Sequence, residues 1–139
     1  MSVNFNRCGG CCTLVVTMQK FIRGFGYALK GLRYAMATQL NFRVHLVAML
    51  TAALMGYALH ISQSEWLWVG LCMALVLVVE LINTAIETLT DLVSPQYNVK
   101  AGIVKDVSAG AVLLTAVFAL VTGLVIFLPK LLNLIHHAA

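Results

Sequence analysis

Hydrophobic and polar positions divide the chain into four blocks. Residues 44–61, 66–93 and 107–128 are predominantly apolar, and a membrane-crossing helix needs about 20 such residues. The first block is short and carries His45 and His60 near its ends, the second is interrupted by acids, and the third has no charge at all. This pattern predicts three transmembrane helices. Block 21–38 differs: Phe21, Phe25, Ala28, Leu29, Leu32 and Met36 recur at helical spacing, with Lys20, Arg23, Lys30 and Arg33 on the remaining surface. A basic amphipathic helix of this kind, expected over about 20–38, lies in the membrane interface rather than crossing it.

Residues 1–19 are expected to be a disordered leader and 20–139 a single membrane domain. The short apolar stretch 3–17 is not followed by a small-residue cleavage site of secretory type. Cys8, Cys11 and Cys12 have no nearby His, which falls short of the four ligands of a structural zinc site. Cys72 lies alone in the second apolar block.

Composition strengthens the membrane reading. Of 139 residues, 61% are hydrophobic and 10% charged, and mean hydropathy is +0.94; soluble domains carry about 25% charged residues. The net charge is +4, but Lys20, Arg23, Lys30, Arg33 and Arg43 gather just before the first span. That placement suits anionic headgroups, and no nucleic-acid partner is expected. Link 62–65 has no cation, whereas loop 94–106 has Lys100 and Lys105. The positive-inside rule then predicts a multi-pass protein with a cytoplasmic N-terminus and an external C-terminus. Pro95 marks a helix stop at Ser94, and Trp66 and Trp68 fit an interfacial belt.

The acids carry the chemistry. Glu80, Glu87 and Asp91 stand at i, i+7 and i+11 on the second span, within about 20° of one line on a helix. Asn83 and Thr84 flank that face, and Glu80 and Glu87 are separated by roughly 10 Å of axial rise. Carboxylates in a bilayer must be paired, hydrated or neutralised. A polar seam gluing helices together explains Asn83 and Thr84 but not three acids in a segment without cations. Compensation has to come from a metal, the N-terminal helix, Lys100 or Lys105. Phosphoryl transfer at the membrane surface would use such a set, with a carboxylate toward a hydroxyl and Mg²⁺ on phosphates. No P-loop or protein-kinase signature is present.

Glu80-Leu-Ile-Asn-Thr-Ala-Ile-Glu87, followed by Asp91 and Lys105-Asp106, closely resembles the bacterial diacylglycerol kinase family, which includes undecaprenol kinases. Gly26-Tyr27-x-x-Lys30-Gly31-Leu32-Arg33, Asn41-Phe42-Arg43 and Ala109-Gly110-Ala111-Val112-Leu113 extend the likeness over about 20–132. The resemblance implies an all-α integral membrane fold, a surface helix plus three spans, assembled as a homotrimer with shared active sites in the bacterial inner membrane. It also implies ATP-dependent phosphorylation of a membrane lipid alcohol, diacylglycerol or undecaprenol, to phosphatidate or undecaprenyl phosphate.

By the same resemblance, Glu80 matches the base toward the lipid hydroxyl, with Asn83 beside it. Glu87 matches the ligand of Mg²⁺ on ATP. Tyr27, Lys30, Gln96, Lys105 and Asp106 fall on the nucleotide side, and Lys20 and Arg43 on the lipid side. Gln39 stands where many relatives have an acid that joins Glu87 in binding metal, and Gln96-Tyr97-Asn98 stands where some have Glu-Tyr-His or Glu-Phe-His. His45, in Asn41-Phe42-Arg43-Val44-His45, looks like the undecaprenol kinase branch. Two other classes use the same acids: a non-catalytic membrane scaffold, which has no reason to keep Glu80, Lys105 and Asp106 together, and an ion or proton carrier, which needs no nucleotide.

Overall fold

The computed structural model describes the backbone of residues 9–96 and 98–138 and the side chains of 18–96 and 98–136. The side chains of Cys8, Cys11 and Cys12 therefore lie outside the described residues. The helices are α1 (Gly9–Thr38), α2 (Leu40–Ala58), α3 (Gln63–Val93) and α4 (Val99–Ala138), and the chain divides into two units, Met1–Thr38 and Gln39–Ala139.

The first unit is α1. It begins at Gly9, not near residue 20 as the apolar stripe alone predicts, because nothing between Gly10 and Phe21 breaks a helix. Phe21 and Phe25 meet edge to face with centroids 5.1 Å apart, and Lys30 Nζ lies 5.6 Å from the centroid of the Tyr27 ring. Phe21, Phe25, Leu29, Leu32 and Met36 are all exposed.

In the second unit, α2, α3 and α4 are each long and apolar enough to cross a membrane. α3 and α4 pack together most extensively, and α2 rests on both. Leu67, Leu71, Leu75, Val78 and Ile82 of α3 face outward, as expected where lipid rather than water is the solvent.

The ends of these helices depart from expectation in ways that local chemistry explains. α2 starts at Leu40 instead of Val44. It closes at Ala58, where His60 takes φ +46 and the amides of His60 and Ile61 return to the carbonyls of Tyr57 and Gly56. That is a Schellman-type stop, with histidine in the position glycine usually takes. α3 begins at Gln63, before Trp66, because Ser62 and Glu65 form a capping box: Ser62 Oγ accepts from the Glu65 amide at 3.3 Å, and Glu65 Oε2 accepts from the Ser62 amide at 2.6 Å. Expected as a loop residue, Glu65 is part of the helix start.

The largest correction is at α4. Asn98 Oδ1 accepts from the Lys100 amide at 2.9 Å and its carbonyl from Gly102 at 3.0 Å, as an N-cap does. The helix thus begins at Val99, and Lys100, Lys105 and Asp106 are helical rather than loop residues. It also runs through Pro129 to Ala138, so Lys130 lies within it.

Glu65 pairs with Lys130 at 3.2 Å, and Asp91 pairs with Lys105. The acids are separated by about 39 Å of α3 and the lysines by about 37 Å of α4 at 1.5 Å per residue. Both intervals exceed the roughly 30 Å hydrocarbon core, so the ion pairs bracket the apolar length of the helix pair. Near the Glu65 end, Ile61, Val69, Ile126 and Phe127 form a buried cluster. Trp66, expected in an interfacial belt, closes over Gly56: a Cβ there would lie 2.9 Å from Trp66 Cη2.

Candidate functional site

The acidic face of α3 lies toward the Asp91–Lys105 end of the bundle. Glu80 is 1% exposed, and its Oε2 has no hydrogen-bond partner among the described residues. Its backbone carbonyl accepts from Thr84 Oγ1 at 2.9 Å, which ties down the buried Thr84 hydroxyl one turn later.

Glu87 is organised differently. Gln39 Nε2 donates to its Oε2 at 3.1 Å, and Asn83 Nδ2 donates to its Oε1 at 3.1 Å. Gln39 is the N-cap residue of α2, yet its side chain makes no cap hydrogen bond; the amide is committed to Glu87. Asn83 accepts in turn at Oδ1 from Ser108 Oγ, 2.6 Å away on α4. One polar network therefore joins all three helices of the second unit, with a single carboxylate at its centre.

Among the described residues no group of three or more His, Cys, Asp or Glu side chains gathers to enclose a metal. The donor set nevertheless fits Mg²⁺, which takes hard oxygen ligands and commonly only one or two carboxylates, with phosphate oxygens and water completing its shell. The half-buried Glu87 carboxylate is such a donor. Gln39 turns its NH₂ group to Glu87, because a carboxylate accepts and does not donate.

Of the residues singled out from sequence, the structure brings Gln39, Asn83 and Glu87 into direct contact and places Glu80 on the same α3 face. Lys105 is joined to Asp91, and Asp106 is exposed beside it on α4. Arg43 is exposed on α2, and Gln96 is exposed, its carbonyl accepting from Ser94 Oγ at 3.2 Å. Lys20, Tyr27 and Lys30 belong to the first unit. Ser108 was not foreseen: a serine in an apolar stretch gives no periodic signal, and only the α3–α4 crossing reveals it.

These features define a class: a helical membrane protein with a buried carboxylate and a second, amide-held carboxylate near one end of its apolar bundle. A family model described as prokaryotic diacylglycerol kinase matches residues 26–127. The diacylglycerol kinase of Synechocystis sp. is 45% identical over 114 residues, covering 79% of this chain and 63% of that protein. The undecaprenol kinase of Bacillus subtilis is 35% identical over 114 residues, covering 82% of this chain and 93% of that protein. The diacylglycerol kinase of Escherichia coli is 32% identical over 103 residues, covering 74% and 84% respectively. The chain belongs to the prokaryotic diacylglycerol kinase family. Its aligned part spans just under two thirds of the Synechocystis protein and most of the other two. The family match contains Glu80, Asn83, Glu87, Lys105 and Asp106 and leaves out Lys20.

Proposed function

We propose that the chain is a lipid kinase that phosphorylates a membrane lipid alcohol with ATP at the cytoplasmic face of the bacterial inner membrane. The observation that carries this reading is Glu80: a fully buried carboxylate with an unpartnered oxygen, on the same helix face as an amide-held carboxylate suited to metal. Its relatives' names point the same way, as diacylglycerol and undecaprenol kinases.

In this reading the lipid hydroxyl oxygen attacks the γ-phosphorus, the bond to the β–γ bridging oxygen breaks, and ADP leaves. Glu80 Oε2 takes the hydroxyl proton, with Asn83 beside it. Glu87 and Gln39 would hold Mg²⁺, whose charge offsets that of the phosphates. Lys105 contacts phosphate next to Asp106, and Tyr27, Lys30 and Gln96 add nucleotide contacts. Lys105 is half-exposed against a largely exposed Asp91; such pairs contribute only about 0–1 kcal/mol, so the ammonium can exchange partners at little cost. Lys20 and Arg43 serve the lipid side, and α1 lies along the membrane surface. Assembly as a homotrimer with shared sites supplies cations that α3 lacks.

The test is purified protein, γ-labelled ATP and a panel including diacylglycerol and undecaprenol. Label in phosphatidate or undecaprenyl phosphate supports the reading and identifies the lipid. Failure to label any lipid alcohol refutes it.

A further inference from the structure

We propose that Ser108 is a positioning residue for Glu87, acting through Asn83 to set the carboxylate that receives the metal–nucleotide complex; this rests on the kinase reading above. Hydrogen-bond direction carries the argument. Ionised Glu87 only accepts, so the Asn83 atom 3.1 Å from it is the NH₂ group. The Asn83 carbonyl oxygen consequently faces Ser108, at 2.6 Å. Ser108 Oγ also lies 2.9 Å from the Lys105 carbonyl, but a hydroxyl has one proton. Giving it wholly to Lys105 would leave two acceptors facing each other at 2.6 Å. The proton is therefore directed to Asn83, and the polarity of the chain runs Ser108 to Asn83 to Glu87.

Ser108 and Asn83 are both buried, 7% and 5% exposed, so water is a poor substitute for either partner. Gln39 holds the other Glu87 oxygen from α2 at 3.1 Å. With one oxygen held by Gln39 and the other by Asn83, the carboxylate is restrained at both oxygens. Without Ser108 the Asn83 amide is free to turn, and one of the two restraints is lost. Ser108 also joins this carboxylate to the α4 turn carrying Lys105 and Asp106, so that the metal side and the phosphate side of the site keep one register.

The experiment measures binding of Mn²⁺ with β,γ-methylene-ATP by water-proton relaxation, alongside kcat and the separate KM values for Mg·ATP and lipid. Ser108→Ala should weaken Mn²⁺·nucleotide binding about 10-fold, the lower end for loss of a partner that orients a metal ligand. KM for Mg·ATP should rise with it, while KM for lipid stays unchanged. Ser108→Thr, which keeps the hydroxyl, should bind close to wild type. Ser108→Cys, which keeps the volume but donates weakly, should follow Ala and covers the case in which Ala loosens the helix pair. In an Asn83→Ala background, Ser108→Ala should add nothing. Wild-type Mn²⁺·nucleotide binding in Ser108→Ala, an equal loss in Ser108→Thr, or a full further loss in the Asn83→Ala background would each overturn the proposal. Lack of lipid phosphorylation by the wild type would refute the kinase reading alone, because the binding comparison still decides Ser108. Lack of any Mn²⁺·nucleotide binding by the wild type would overturn both.

Discussion

Replacing Glu80 with Gln separates what this residue does for the reaction from what it does for the fold. The side chain is 1% exposed and Oε2 has no partner, so the native bundle carries an uncompensated polar atom in a low-dielectric setting. Holding that carboxylate ionised, as a proton acceptor must be, costs several kcal/mol, whereas a neutral amide in the same space leaves about 1–3 kcal/mol of unmet hydrogen bonding. The difference predicts that Glu80→Gln is more stable than the native chain by about 1–3 kcal/mol. The amide keeps the shape but cannot accept a proton, and loss of a general base lowers rates by about 10²–10⁴-fold, or roughly 3–5.5 kcal/mol of barrier. The assay is lipid phosphorylation with labelled ATP, paired with denaturant-titrated unfolding in the same detergent. Near-normal turnover would remove Glu80 from the chemistry. Turnover and stability falling together would make it a structural prop, and the reasoning from its unpartnered oxygen would be wrong.

Other outcomes follow from separate parts of the molecule. Gln39→Glu replaces an amide donor 3.1 Å from Glu87 with a second carboxylate, which needs a cation between the two; the Mg²⁺ concentration for half-maximal activity should drop on the order of tenfold, about 1.4 kcal/mol, and an unchanged requirement would put residue 39 outside the metal shell. Gly56→Val places new atoms within 2.9 Å of the Trp66 ring, so unfolding stability should decrease by about 1–3 kcal/mol; Trp66→Ala in the same chain should recover part of it, and no recovery would locate the strain elsewhere. A reporter fused after Ala139 should be active only outside the cytoplasm, and cytoplasmic activity would reverse the orientation read from the cations.

Existence and type of the spanning helices were readable because the bilayer imposes a length and a composition on any segment that crosses it. Their ends were not, because ends are decided by single hydrogen bonds that hydropathy averages over. Asn98 starts α4 eight residues before the expected span begins at 107, and a side-chain oxygen contacting one amide carries no weight in a hydropathy window. Ser62 and Glu65 stand at capping-box spacing, which is visible in the sequence, yet so short a link between apolar blocks reads first as a turn. His60 gave no warning of its positive φ, since glycine is the residue that announces such a stop.

The site divides along the same line. Glu80, Asn83 and Glu87 could be placed on one face because helical periodicity is a property of a single segment. The partners that give each of them a role come from other segments: Gln39 from the start of α2, and Ser108 and Lys105 from α4. Periodicity carries no information about which residue of another helix stands opposite. The acids themselves supply the missing constraint. α3 satisfies Glu87 locally through Asn83, but it has no cation of its own for Asp91, and α4 brings one. Lys105 meets Asp91 at one end and Lys130 meets Glu65 at the other, the lysines 25 positions apart and the acids 26. Two antiparallel helices carrying ionic anchors at almost equal intervals cannot slide by a turn without breaking both pairs. In that register Ser108 stands opposite Asn83; exposed pairs worth about 0–1 kcal/mol mark the register rather than impose it, and the buried Ser108–Asn83 bond is what a slide by one turn would cost most.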